Sequence, residues 1–349
     1  MDVKIPSGQR RRHQTETPPW SSYRHPRQRP LSPGWWPGPW NDVIPEDAEC
    51  TPLPADDDRP VRLGGSFRPP PEGYDWAIPY TVVENGEPAR RTVYAWEEDP
   101  NALVEFFRVL GILFGVLPPS HRIPIVAESR LPWVSGHPQQ PPSTGDRHYV
   151  VIDPAESELF EAGVTRLGVN PKNILSGGQR WWFNRVTRWD LTRPYSEQAD
   201  KKKGSPAARM PMLPMTVRFD ELTRGRIDHV VGVALPRYQP GDPIWPAMGT
   251  DGRLVRDQNG VVVREVPVVA GQRLQLRPEV LEELRDTLPP GSHRLVVAEA
   301  LHEFGLIVAD TTARNHGSAW VAPDGRWEDS DLPGFELPLS AFRAVNIAN

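Results

Sequence analysis

His229-Val230-Val231-Gly232-Val233-Ala234-Leu235 is the stretch on which the fold turns. A short, continuous apolar run rich in β-branched residues reads as a strand buried on both faces, because an amphipathic helix would alternate its apolar positions at a period of 3.6. His148-Tyr149-Val150-Val151-Ile152-Asp153 is a second run of the same kind, and Leu306-Ile307-Val308-Ala309-Asp310 a third.

Around these runs the sequence predicts further short strands. Thr81-Val82-Val83 and Thr92 to Trp96 are joined by an Asn85-Gly86 turn, the strongest short hairpin signal. Ile123 to Val126, Leu159 to Ala162, Val261 to Val263, Leu274 to Leu276 and Ser318 to Val321 follow. Arg180 to Phe183 and Val186 to Leu191 alternate large rings with polar residues, as strands of a half-buried sheet do. Helices are expected from Pro100 with Leu103, Phe106, Phe107 and Leu110 on one face, at Phe219 to Leu222, from Pro278 to Leu288, and from Arg294 to Phe304 with Gly305 as the stop. The expected class is mainly β (α+β): a β-sandwich or jelly-roll-like core with two or three short helices and a long extended N-terminal arm. The arm is assigned to residues 1–78 and a single globular domain to 79–349, with a sub-boundary near 120–145.

The arm is defined by composition. The chain of 349 residues carries 42 prolines, more than double the usual share of about 5 %. They cluster most densely before Pro79, where extended polyproline geometry is favoured. Solvated disorder is poor in aromatics. Yet this stretch holds Trp20, Tyr23, Trp35, Trp36, Trp40, Tyr74 and Trp76. Two readings stand: a solvated tail, or an arm whose indoles (Trp20, Trp35, Trp36, Trp40 and Trp76) dock in grooves on a partner or on its own body. Net charge is −5 with a pI near 6.0. That argues against a specific nucleic-acid partner, although Arg10, Arg11, Arg12, Arg24, Arg27 and Arg29 make the first thirty residues locally basic.

The one cysteine, Cys50, is expected to be inert, since no His or helix start sits beside it. The apolar run Phe106 to Leu117 is too short to span a bilayer, and the N-terminus lacks the apolar region of a signal peptide. If the protein works outside its cell, the expected route is another one, such as lysis or assembly into a particle. The nine histidines show no HxH or HExxH spacing, and Asp56-Asp57-Asp58 lacks the Gly and Glu of a calcium loop; no metal and no cofactor is expected.

Candidate catalytic residues sit at strand ends: Asp146 and His148, Asp228 and His229, and Asp310. Two imidazoles and several carboxylates meeting at one sheet end would suit general acid–base chemistry or glycoside hydrolysis. Histidines bonded to carboxylates also simply satisfy buried polar groups. Trp181, Trp182, Trp189, Trp245 and Trp320 are candidates for sugar binding, with core packing as the competing reading. The basic loop Asp200 to Ser205 is read as solvated.

Three blocks resemble a family of actinobacterial proteins, some secreted with attached carbohydrate-binding modules. They are Ser143-Thr144-Gly145-Asp146-Arg147-His148 running into Asp153, Arg226-Ile227-Asp228-His229 running into Leu235, and a C-terminal block. The last passes from Ala300 through Phe304-Gly305-Leu306-Ile307-Val308-Ala309-Asp310 to Ser318-Ala319-Trp320, Arg326-Trp327, Asp329, Asp331-Leu332 and Phe342. The likeness covers roughly 120–345 and not the arm; it departs at Thr311 to His316 and at the insert Asp251 to Gly260. No agreed activity comes with the family. The resemblance implies a β-rich, extracellular-type domain concerned with polysaccharide. With the aromatic arm and no export signal, the expectation is a structural or assembly protein of a phage particle, a minor tail or capsid-associated component. Its arm would dock on neighbouring protein subunits and its body contact cell-surface polysaccharide, with no membrane partner and an enzyme the less favoured reading. The alternatives are a polysaccharide-cleaving glycoside hydrolase or lyase, and a non-catalytic host glycan-binding module.

Overall fold

The computed structural model describes residues 35–63, 78, 80–83, 90–95, 120–124, 148–169, 179–252, 265–312, 315–322, 324, 326–327 and 330–346. Among them the chain is mainly β, with two sheets and three α-helices. The expected turn at Glu84 to Glu87, the helix from Pro100, the strand Val261 to Val263, and Trp20, Trp76 and Asp146 lie outside the described residues.

The eight-stranded sheet contains the run that opened the sequence reading. Its strands are β1 (Cys50–Pro52), β2 (Pro60–Arg62), β9 (Val231–Leu235), β10 (Arg273–Leu276), β11 (Leu306–Thr311), β12 (Gly317–Ala319), β13 (Glu336–Pro338) and β14 (Phe342–Val345). Their order is β1-β14-β10-β11-β9-β12-β2-β13. Every residue of β9 and β10 is buried, and β9 accordingly reads as an unbroken apolar stretch, whereas β10 carries Arg273 and Gln275 between its leucines. Gly232 is required in β9: a Cβ there would lie 2.2 Å from the indole of Trp320. Between β10 and its antiparallel neighbour β11 runs a helical hairpin, α2 (Pro278–Thr287) and α3 (His293–Glu303). Pro278 opens α2, Ser292 caps α3 by accepting from Leu295 N–H, and Gly305 at φ 82° ends it. The short α1 (Phe219–Thr223) precedes β9.

The second sheet comprises β3 (Tyr80–Val82), β4 (Arg90–Ala95), β5 (Ser120–Pro124), β6 (Tyr149–Asp153), β7 (Glu158–Val169) and β8 (Gln179–Asp190), in the order β3-β6-β7-β8-β4-β5. The two aromatic segments at 180–191 are one strand, β8, paired antiparallel with β7 across register shifts at Glu161, Gly163 and Arg166. Both sheets are mixed: β9–β11, β2–β12, β3–β6 and β4–β8 run parallel. Tyr80, Ile152, Leu159 and Trp189 from this sheet and Val233, Leu274, Leu306 and Phe342 from the first belong to one hydrophobic core.

Residues 35–63, read from the sequence as part of the arm, are built into the body. Strand β1 pairs with β14, and β2 lies between β12 and β13. Trp36 and Trp40 are each 2 % exposed. Trp40 O accepts from Val230 N–H at 2.7 Å, and the buried Arg273 guanidinium donates to Pro39 O and Asp42 O, both at 2.6 Å. Proline-rich chain has few internal hydrogen bonds, so its carbonyls are available to such donors, and its indoles supply the burial that fixes it. Of the arm indoles, Trp36 and Trp40 are docked on the body. No helix among the described residues is long and apolar enough to cross a membrane.

Removing the Trp40 indole should therefore act as a core substitution. Trp40→Ala is expected to cost about 3–5 kcal/mol in urea unfolding; a loss below about 1 kcal/mol would mark the segment as an appendage.

Candidate functional site

Trp36, Trp40, Trp189, Tyr195 and Trp245 form one connected group of aromatic rings. Trp189 near the end of β8 is fully buried. Beyond it, Asp190 accepts from Thr192 N–H and Oγ1–H, and the Gln198 amide bonds both Asp190 N–H and the carbonyls of Asp190 and Arg193. This closed loop plants Tyr195 beside Trp189, with ring centres 5.7 Å apart. Trp40 lies 5.4 Å from Tyr195 and 4.9 Å from Trp36, and Trp36 lies 6.1 Å from Trp189. The tilted geometries suit the ring quadrupoles.

The stack reaches the surface at Trp245. Its ring centre is 5.3 Å from Tyr195, whose hydroxyl donates to Pro246 O at 2.8 Å. A turn closed by Ala247 N–H donating to Ile244 O holds the residue in place. Trp245 is 44 % exposed, and with Val43 it is one of two large hydrophobic residues exposed among those described. The arrangement is an exposed indole on an aromatic base, and the exposed Arg193–Glu197 pair at 3.3 Å flanks Tyr195 in sequence.

The other tryptophans nominated for sugar contact have different fates. Trp189 and Trp320 are core residues, 0 % and 2 % exposed, which overturns that role for both. The side chains of Trp181 and Trp182 lie outside the described residues. Lys203, read as part of a solvated loop, sits 5.4 Å over the Trp189 ring.

Beneath the stack lies a carboxyl that the sequence reading passed over. Glu161 is completely buried. It accepts from Met212 N–H at 2.7 Å, Leu213 N–H at 3.0 Å and Trp189 Nε1–H at 3.2 Å. Burial raises its pKa to about 7, against the pull of those three donors. Its one available signal was a charge set inside the otherwise apolar Leu159-Phe160-Glu161-Ala162 segment.

His229 and Asp310, two of the nominated catalytic residues, are not brought together. Asp310 is level with Ala234 on parallel strands, whereas His229 precedes the first pair, Val231 with Leu306. The two therefore sit at opposite ends of the sheet, roughly 15 Å apart along strands rising about 3.3 Å per residue. Alternation and apolar runs locate strand ends but do not say which ends share an edge. His229 is buried, with Nδ1 2.8 Å from Val230 O and Nε2 3.1 Å from Glu221 Oε1. Both ring nitrogens are engaged within the core, which matches the packing of a satisfied buried polar group. Burial pushes the Glu221 carboxyl up, but His229 and Arg218 beside it leave the net shift downward. Asp228 turns instead to Arg226, which also binds Glu303 at 2.8 Å. His148 is half-buried at the head of β6 in the other sheet, with Nδ1 3.4 Å from Ser205 Oγ. No cluster of His, Cys, Asp or Glu suited to a metal occurs among the described residues. Burial, partly offset by Arg343, raises the Cys50 thiol, in keeping with an inert cysteine.

Glu161 supplies a pH test of the stack. Its pKa is 4.5 when unperturbed and about 7 when folded, so between these values the folded chain holds a proton that the unfolded chain has released. Its contribution to stability is full below the lower value and is lost as pH rises through the higher one, by on the order of 3 kcal/mol. Urea midpoints measured from about pH 5 to pH 8 should fall more steeply for the native chain than for Glu161→Gln. Parallel profiles would exclude this titration.

No family model, no curated protein and no solved structure matches the chain.

Proposed function

We propose that the protein is a non-catalytic structural component, of the phage-particle type the sequence suggests, whose body contacts polysaccharide through Trp245. The observation that carries this reading is the exposed indole backed by Tyr195. Leaving a tryptophan 44 % exposed forgoes burial of a large apolar surface, and a fixed ring loses little entropy when a partner covers it. The apolar C–H face of a sugar matches such a ring. Arg193 and Glu197 are exposed polar groups close to Tyr195 in sequence that can meet sugar hydroxyls.

The polysaccharide-cleaving alternative draws no support from His229 and Asp310, which lie at opposite ends of the sheet. Docking on other subunits falls to the arginine-rich segment before Trp35, because Trp36 and Trp40 are engaged within the body.

Incubation of the purified chain with actinobacterial cell-wall polysaccharides should give binding without released oligosaccharides, read together by mass spectrometry. Trp245→Ala should weaken binding about tenfold or more with an unchanged melting temperature. Released products, or undiminished binding by the variant, would overturn the proposal.

A further inference from the structure

A cleft of about 720 Å³ lies away from the aromatic stack, between the helical hairpin and the N-terminal segment around Ile44. Its volume falls within the range of small-molecule sites. Ile44, Leu281 and Val296 are buried residues that line it and give it an apolar wall. Three arginines also line it, and they are not equivalent. Arg226 is matched by Asp228 and Glu303. Arg285 is matched by Glu282 at 2.8 Å and Glu299 at 3.5 Å.

Arg343 is different. It stands directly opposite Gln275 in the β10–β14 pairing, and its Nε and one terminal nitrogen donate to the neutral Gln275 Oε1 at 3.0 and 2.7 Å. The Gln275 amide is itself held by donation to His302 O at 2.9 Å. The guanidinium is thus fixed in orientation, with its other terminal nitrogen unused and no carboxylate within ion-pair distance among the described residues. Glu279, close enough to feel its charge, is bonded to Arg277. His302 also lines the cleft and has Nδ1 2.9 Å from Leu276 O, which leaves Nε2 as its remaining polar atom. Glu46 is exposed at the mouth, where solvent screens it.

We infer that this cleft binds a small amphipathic carboxylate, its acid group on Arg343 and its hydrocarbon against Ile44, Leu281 and Val296. A half-buried guanidinium already oriented by a neutral partner offers a charge-assisted hydrogen bond at little entropic cost. The site is independent of the polysaccharide surface at Trp245.

The test is calorimetric titration of the full chain with octanoate, 1-octanol and octylammonium. Saturable octanoate binding is expected, at least tenfold tighter than for the other two. Arg343→Gln should weaken octanoate binding tenfold or more, and Arg343→Lys several-fold, since lysine keeps the charge and loses the planar fork. Should the glutamine variant fail to fold, the lysine variant decides. Trp245→Ala should bind octanoate as the native chain does, so failure at one surface is separable from failure at the other. No octanoate binding, equal binding of the three probes, or unchanged affinity in the folded Arg343 variants would overturn the inference.

Discussion

The packing of Tyr195 between Trp40, Trp189 and Trp245 is the interaction on which the rest of the structure depends. These rings come from the N-terminal segment, from β8 and the loop that follows it, and from the turn after β9. Burying large rings from separate parts of the chain against one another gains hydrophobic free energy over a wide area and fixes their relative orientation. The N-terminal segment has little regular structure of its own, and Trp36 and Trp40 add their burial to that of Ile44, Leu53, Val61 and Leu63 and to the short strands β1 and β2 in holding it.

Two buried carboxyl groups, Glu221 in α1 and Glu161 against Trp189, solve the same problem differently. Glu221 is surrounded by Arg218 and His229, so its charge is matched within the core. Glu161 has three neutral N–H donors. Matched charges in the interior approximately offset their own desolvation, while a carboxylate with only neutral donors is left sensitive to protonation. The first group is a fixed strut; the second keeps its proton near neutral pH.

How much of this was legible depended on whether the signal was local. Val231 to Leu235 and Tyr149 to Asp153 were readable because burial of a whole segment writes itself into consecutive residues, and the two helices of the hairpin because the Leu281–Leu284 spacing, Pro278 and the Gly305 stop are local signals. Strands β1, β2 and β13 are three residues long and each contains a proline, so they carry no alternation to detect. They exist because distant strands offer them edges. The same limit applied to the site. His229 and Asp310 were correctly placed near strand ends, but parallel pairing of β9 and β11 put them at opposite edges. Trp245 was recognisable as a large ring, whereas its exposure, and the burial of Trp189 and Trp320, depended on long-range packing.

The pairing of β1 with β14 also bears on how the chain acquires its structure. Thr51 and Asn346 bond across a sequence separation of 295 residues. During synthesis at about 5–20 residues per second, β1 waits on the order of tens of seconds for its partner to emerge. Through that interval the tryptophans just before it have no completed sheet to shelter them. Long-range topology of this kind makes for slow folding and prolonged exposure of apolar surface. The woven N-terminal segment thus makes the nascent chain dependent on protection from aggregation until its last strand is made.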